Sequence, residues 1–207
     1  GHDRRPCRHR RVRVTRTADR YRPLYDDPEL AAAYARVSAS NVANAAYERP
    51  AIRELLWDAG ERDVLDAGCA AGEHAAWLVE RGARVVALDV SETMVRLARE
   101  RLGERAPVLR VDLEETLPFG EATFDIVVSS LTMHYLRDWT MPLREFVRVL
   151  RPGGKLVLST HHPYLTVEAV AEYHAIAPVE EAWSGFAAEP VPVRFFHRPL
   201  ERIVGDV

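Results

Sequence analysis

The chemistry-bearing residues of this chain cluster in one short stretch. Asp66 is followed by Ala67-Gly68-Cys69-Ala70-Ala71-Gly72, and Asp89 lies 21 residues beyond Gly68. Residues without bulk let a backbone approach a ligand closely. A helix that begins directly after such a turn presents unpaired N–H groups to it. A carboxylate at the position of Asp89 suits the hydroxyls of a ribose. The spacing therefore predicts an adenosine-containing ligand without naming it.

The loop composition narrows the choice. A dinucleotide fingerprint reads G-x-G-x-x-G and brings glycines against a pyrophosphate. Here Ala70 and Ala71 replace the expected glycines, and Asp66 precedes the turn. A carboxylate is a poor neighbour for a pyrophosphate. It suits the ammonium and sulfonium of S-adenosylmethionine.

Elements that could position these residues follow from the pattern. Helices are expected at Pro28–Val42 and Pro50–Ala59. Short apolar strands are expected at Asp63–Ala67, Arg84–Leu88, Val108–Val111, Phe124–Ser130 and Lys155–Thr160. Between them lie helices Glu73–Arg81, Glu92–Leu102 (capped by Ser91) and Met141–Leu150, the last stopped by Pro152, Gly153 and Gly154. This alternation predicts an α/β fold, a doubly wound and mostly parallel sheet with helices on both faces. Past Thr160 only one strand, Val193–His197, is expected. The strands that often complete such a sheet are then missing, and the fifth strand is an exposed edge that a second copy of the chain could cover.

Composition sets further bounds. At 207 residues one domain is expected, at 23–207, with N-terminal helices (23–60), a cofactor core (61–160) and an acceptor-side or cover segment (161–207). Residues 1–22 hold nine arginines against two aspartates, a charge of +7, which leaves −10 on the rest of a chain whose net charge is −3. We expect a disordered, solvated arm and an acidic body that does not bind nucleic acid. No apolar run reaches the roughly 20 residues of a membrane span. Two distant cysteines give no disulfide framework, no Cys/His spacing suits zinc, and a cytoplasmic protein without a metal is expected.

From about Tyr47 to Thr160 the chain resembles the class I S-adenosylmethionine-dependent methyltransferases, in particular the small-molecule group that includes ubiquinone/menaquinone-biosynthesis enzymes. Val64–Gly72 resembles their glycine-rich motif, and Ala87–Met94 their ribose-binding turn with its helix. Val111–Glu114 with Leu117–Phe119 resembles the adenine-binding turn. Phe124–Ser130 and Leu150–Leu156 resemble the fourth strand and the turn before the fifth. The resemblance implies a Rossmann-like fold, S-adenosylmethionine as cofactor and a small-molecule methyl acceptor. It implies contacts to the methionine portion from Gly68, Cys69, Ala70 and Gly72, with Asp66 near the amine. Asp89, beside Val90, would hold the ribose. Asp112 and the Leu113 N–H would read the adenine, and Met94 would cover it. Ser129 or Ser130 would offer a carbonyl near the amine. Ala70 departs from the glycine usual at its position.

Methyl transfer asks mainly for alignment of acceptor, methyl and sulfur. Where the acceptor carries a proton, a base must remove it. His134, Tyr135, His161, His162 and Tyr164 follow the fourth and fifth strands, where an acceptor would sit, and the three histidines are the candidate catalytic residues. Tyr25, Tyr34 and Arg49 could form a lid, with Arg49 pairing the cofactor carboxylate. Trp183, Phe186, Phe195 and Phe196 could line an apolar acceptor pocket. The competing expectation is a shortened, non-catalytic relative that binds the cofactor, or nothing, and acts through a partner.

Overall fold

The computed structural model describes residues 24–185 and 187–207. The expected basic arm and Phe186 lie outside the described residues. Asp27 accepts hydrogen bonds from the Glu29 and Leu30 N–H groups and so starts α1 (Pro28–Ser40). Pro28 stands where its missing N–H leaves nothing unpaired. A π-helical turn, Ala43–Glu48, follows and leads directly into α2 (Arg49–Leu55). Both helices end earlier than the expected Val42 and Ala59. The segment between them is helical rather than a loop.

The main sheet contains β1 (Asp63–Ala67), β2 (Arg84–Asp89), β3 (Val108–Arg110), β4 (Phe124–Ser129) and β5 (Leu150–Leu158). Its order is β3-β2-β1-β4-β5, and every pairing is parallel. The crossovers carry α3 (Glu73–Glu80), α4 (Glu92–Leu102) and α5 (Thr140–Val149). Alternate residues of the strands serve opposite layers. Val64, Ile126, Val128 and Val157 meet Ile52, Leu78, Val95 and Leu102 from α2, α3 and α4. Leu65, Ala67 and Val127 meet Met133, Trp139, Leu143 and Phe146 on the other face. Burial on both faces is why these strands read as continuous apolar runs. The sheet order reverses at β1, whose neighbours are β2 and β4, so the open ends of β1 and β4 form the crevice where such folds bind ligands.

Two elements differ from the sequence reading. β5 begins at Leu150, not Lys155. Phe124 pairs with Leu150 and Ile126 with Lys155, so Arg151–Gly154 bulge out of the ladder instead of ending the helix in a free turn. Beyond β5 the chain forms an antiparallel hairpin, β6 (Ala177–Trp183) and β7 (Val191–His197), and then α6 (Leu200–Asp206). The expectation of a single strand missed β6 because its inward positions include the buried carboxylate of Glu181, which breaks the apolar alternation. The hairpin is a separate two-stranded sheet, so β5 is the edge of the main sheet among the described residues.

α5 is pinned to the loop after β3 by one buried acid. Glu145 accepts from the Leu117 N–H at 2.8 Å and from two guanidinium nitrogens of Arg148, at 2.8 and 2.6 Å. Arg148 in turn donates to the Leu117 and Phe119 carbonyls. Removing the acid strands a buried N–H and a half-enclosed cation. Glu145→Ala is expected to cost about 2–3 kcal/mol. Urea unfolding should show this as a lower midpoint at unchanged slope.

Candidate cofactor and active site

After Ala67 the chain turns back over β2. The Gly68 and Cys69 N–H groups both donate to the Leu88 carbonyl, at 2.9 and 2.8 Å. Gly68 has φ +85°, and a Cβ there would lie 2.2 Å from the Thr132 hydroxyl oxygen. Thr132 in turn donates to the Gly68 carbonyl at 3.2 Å. The loop after β4 thus presses on the loop after β1 and requires glycine. Gly72, at φ +77°, caps α3 and faces Ala98 of α4. Ala70 keeps a left-handed backbone at φ +47°. It holds the conformation that glycine takes freely, at a cost of about 1–2 kcal/mol.

The two carboxylates flank this loop. Asp89 accepts from the Ala70 N–H and the Ser91 N–H, both at 2.9 Å. Asp66 is fully buried, and its Oδ2 has no hydrogen-bond partner. Loss of solvent is the main cause that pushes both carboxyls up to about 6. For Asp66 the neighbouring His74 opposes this, and for Asp89 the two backbone donors do. Asp112 turns its own loop, accepting from the Glu114 N–H, and the Leu113 side chain is buried in the core beside it. Val90 is exposed.

The N-terminal helices cover the site. Ser91 donates its hydroxyl to the Tyr25 carbonyl at 2.7 Å, Thr93 donates to the Asp26 carbonyl, and the Glu92 N–H donates to the Asp26 side chain. Met94 is buried beneath α1 with Ala31 and Ala71, near Tyr25 and Tyr34. Burial, with Asp89 next, pushes the Tyr34 hydroxyl up to about 12. Arg49 pairs with Glu73 at 2.6 Å and donates to the Ser38 carbonyl. A cavity remains between cover and strand ends, and Asp66, Gly68, Cys69, Ala70, Arg49 and Ser130 line it. The Ser129 carbonyl is taken up by the Ser159 N–H, whereas Ser130 reaches the cavity. Glu48 and His74 also line the cavity and were not singled out in the sequence. An isolated acid in a helical run and a histidine in a first turn carry no spacing signal.

The candidate histidines stand elsewhere. His134 is buried and stacked on His161, with ring centroids 3.8 Å apart, and both meet the edge of Phe195 from β7. Burial, then the His161 neighbour, holds His134 well below the usual imidazole range. His162 is exposed and its Nδ1 accepts from the Tyr164 N–H. None of the three lines the cavity. The Tyr135 hydroxyl lies 2.8 Å from that of Tyr25, joining the cover to the loop after β4. Phe195 and Trp183 pack with Tyr135 under the hairpin.

An α/β sheet with this switch point, a glycine turn and two strand-end carboxylates defines a nucleoside-binding protein of the Rossmann-like class. The methyltransferase domain family matches residues 65–158. The malonyl-[acyl-carrier protein] O-methyltransferase of Pseudescherichia vulneris is 32% identical over 192 residues, an alignment spanning 83% of this chain and 75% of that protein. The protein of the same name from Serratia marcescens is 38% identical over 135 residues, which is 63% of this chain and 52% of the relative. The crystal structure of an S-adenosylmethionine-dependent methyltransferase from Mesorhizobium loti superposes with a TM-score of 0.62 at 27% identity, covering 79% of this chain and 80% of that one. The chain belongs to the S-adenosylmethionine-dependent methyltransferases, and S-adenosylmethionine is its cofactor.

The residues present fit that cofactor. A buried acceptor without a partner (Asp66 Oδ2) faces a loop that a Cβ would obstruct. Asp66 and Gly68, which line the cavity, would hold the methionine portion; Asp89 would hold the ribose, and Asp112 with Leu113 the adenine, beyond that lining. When bound, the cofactor supplies a methyl group activated on a sulfonium. Raised to about 6 in the free protein, Asp66 would have to be ionised to hold an ammonium and Asp89 to accept from both ribose hydroxyls. Affinity for S-adenosylhomocysteine, read by calorimetry, is therefore expected to be level above pH 7 and to fall about tenfold or more from pH 7 to pH 5. A flat profile would contradict these ligands. Gly68→Ala combines a left-handed φ with a clash against Thr132 and is expected to cost about 2–4 kcal/mol of stability, read by thermal unfolding.

Proposed function

We propose that this chain transfers the methyl group of S-adenosylmethionine to an oxygen of a small-molecule or carrier-linked acyl acceptor, a carboxylate in particular. One observation carries this reading: none of His134, His161 and His162 lines the cavity, the buried His134 resists protonation, and His74, which does line it, is set beside the carboxylates of Glu48 and Asp66. An acceptor that must lose a proton needs a base at its reacting atom. A carboxylate is already ionised at neutral pH and needs only alignment. The relatives named as malonyl-[acyl-carrier protein] O-methyltransferases support an acyl oxygen. Tyr34 lines the cavity, and Tyr25 packs between it and Tyr135. Nothing among the described residues favours the non-catalytic reading, because the loop, both carboxylates and the cover stand together.

The acidic body disfavours nucleic acid as substrate. No helix among the described residues is long and apolar enough to cross a membrane, and a cytoplasmic setting fits the proposal. A second copy would cover the β5 edge, and sedimentation would detect such a homodimer.

The test is methyl transfer, followed by mass spectrometry, to a panel of carboxylic acyl thioesters, phenols and amines. Methyl esters are the expected product. Transfer to amines alone would overturn the reading. Asp89→Ala is expected to weaken S-adenosylhomocysteine by at least about tenfold, from loss of charge-assisted hydrogen bonds. His134→Gln and His161→Gln should each change kcat less than about fivefold in protein that remains folded. A loss beyond a hundredfold would make that histidine the base.

A further inference from the structure

One carboxylate at the site belongs to no loop motif. Glu48 ends the π-helical turn of the cover. Its Oε1 accepts from the hydroxyls of Ser130 and Ser159, both at 2.6 Å. Its Oε2 lies 3.8 Å from His74 Nε2. The cover, the open ends of β4 and β5 and the first turn of α3 thus converge on one side chain. Glu48, His74 and Asp66 line the same cavity. Two atoms there, Asp66 Oδ2 and His74 Nδ1, are buried without a hydrogen-bond partner. Burial pushes the Glu48 carboxyl up, but the neighbouring His74 and the hydroxyls of Ser130 and Ser159 outweigh it and hold the group below the usual carboxylate range.

Glu48 is therefore anionic at neutral pH, within the same small cavity as a second carboxylate. An ammonium carries three N–H donors and needs acceptors on more than one side. Asp66 offers an acceptor from β1, and Glu48 offers one from the cover. Building on the reading of this cavity as the S-adenosylmethionine site, we propose that Glu48 is a second carboxylate ligand of the cofactor's methionine ammonium. It selects cofactors that carry this amine. Because Glu48 sits on the cover, the same contact ties the cover to the strand ends when the cofactor binds. The hydroxyls of Ser130 and Ser159 fix the carboxylate in place.

Calorimetry with two probes tests this on the full chain. S-Adenosylhomocysteine keeps the amine and lacks the sulfonium. 5′-Methylthioadenosine keeps the adenosine and lacks the amino acid. Glu48→Gln is expected to weaken S-adenosylhomocysteine at least tenfold and to leave 5′-methylthioadenosine within twofold. Ser159→Ala removes one of the two hydroxyls that hold Glu48, leaving the Leu131 N–H its bond to the Ser159 carbonyl, and should weaken the first probe about threefold and spare the second; it carries the test if Glu48→Gln does not fold. Equal weakening of both probes would reduce Glu48 to a structural contact and overturn the proposal. Unchanged affinity for both probes would also overturn it, and if turnover were lost at the same time Glu48 would act on the acceptor instead. If the wild-type chain bound neither probe, the cofactor reading itself would fail, a result distinct from selective failure at Glu48.

Discussion

Removing carboxylates from water is expensive, and this fold does so twice at one end of its sheet. Asp66 and Asp89 terminate neighbouring parallel strands, and loss of solvent pushes each up to about 6. A fold selected for stability alone would not keep them. Each raised carboxyl binds its proton more tightly in the folded chain than in the unfolded one. The cofactor-free protein therefore loses stability from these groups as pH rises from about 4 to about 6, and regains none above that. A cationic ligand reverses that balance. At Asp66 a positive group would offset the penalty where a phosphate would add to it; at Asp89 hydroxyl donors would offset it.

The rest of the structure holds this arrangement in place. The Ala70 N–H is spent on Asp89, which requires the left-handed turn through Gly68, Ala70 and Gly72. That turn leaves no room for a side chain at Gly68, because Thr132 closes against it. The two loops at the switch point are therefore shaped by each other. Above them, the cover is anchored at both ends by polar contacts, at Tyr25 and Asp26 to the start of α4 and at Glu48 to the ends of β4 and β5. Such contacts are weak individually and exchange readily with water. Apolar packing of Ala31 of α1 on Met94 and Ala71 adds to these contacts.

Much of this was legible in the sequence, for identifiable reasons. Strands buried on both faces write themselves as apolar runs, and a ligand turn between strand and helix needs small residues. Hence β1 to β4, the loop and the strand-end Asp89 could all be read directly. The unread parts obey other rules. The segment Ala43–Glu48 is a π-helical turn without buried residues, continuous with α2, and it has no apolar periodicity to announce it. Pro152–Gly154 look like a stop, yet they bulge from a strand that has already begun at Leu150. β6 was hidden by Glu181 facing inward. Glu48 and His74 reach the site through tertiary placement alone, and no spacing rule anticipates that.

The histidines show the limit of arguing chemistry from position. His134 and His161 follow β4 and β5 at the open end of the sheet, as a base for an acceptor would. Tertiary packing then stacks them against each other and against Phe195 of the hairpin. Buried and set against His161, the His134 imidazole resists protonation. Their shared surface is better understood as the floor on which the hairpin rests. The hairpin packs against this floor and the loop after β4 without joining the main sheet, and His197 of β7 ties it by hydrogen bonds to Thr166 and the Tyr173 carbonyl. A surface made this way can change shape with the residues that form it, while the ladder that carries Asp66 and Asp89 stays fixed. The proposed cofactor cavity and the ring cluster beside it are in this sense built from different kinds of contact, one from backbone and carboxylates, the other from stacked rings.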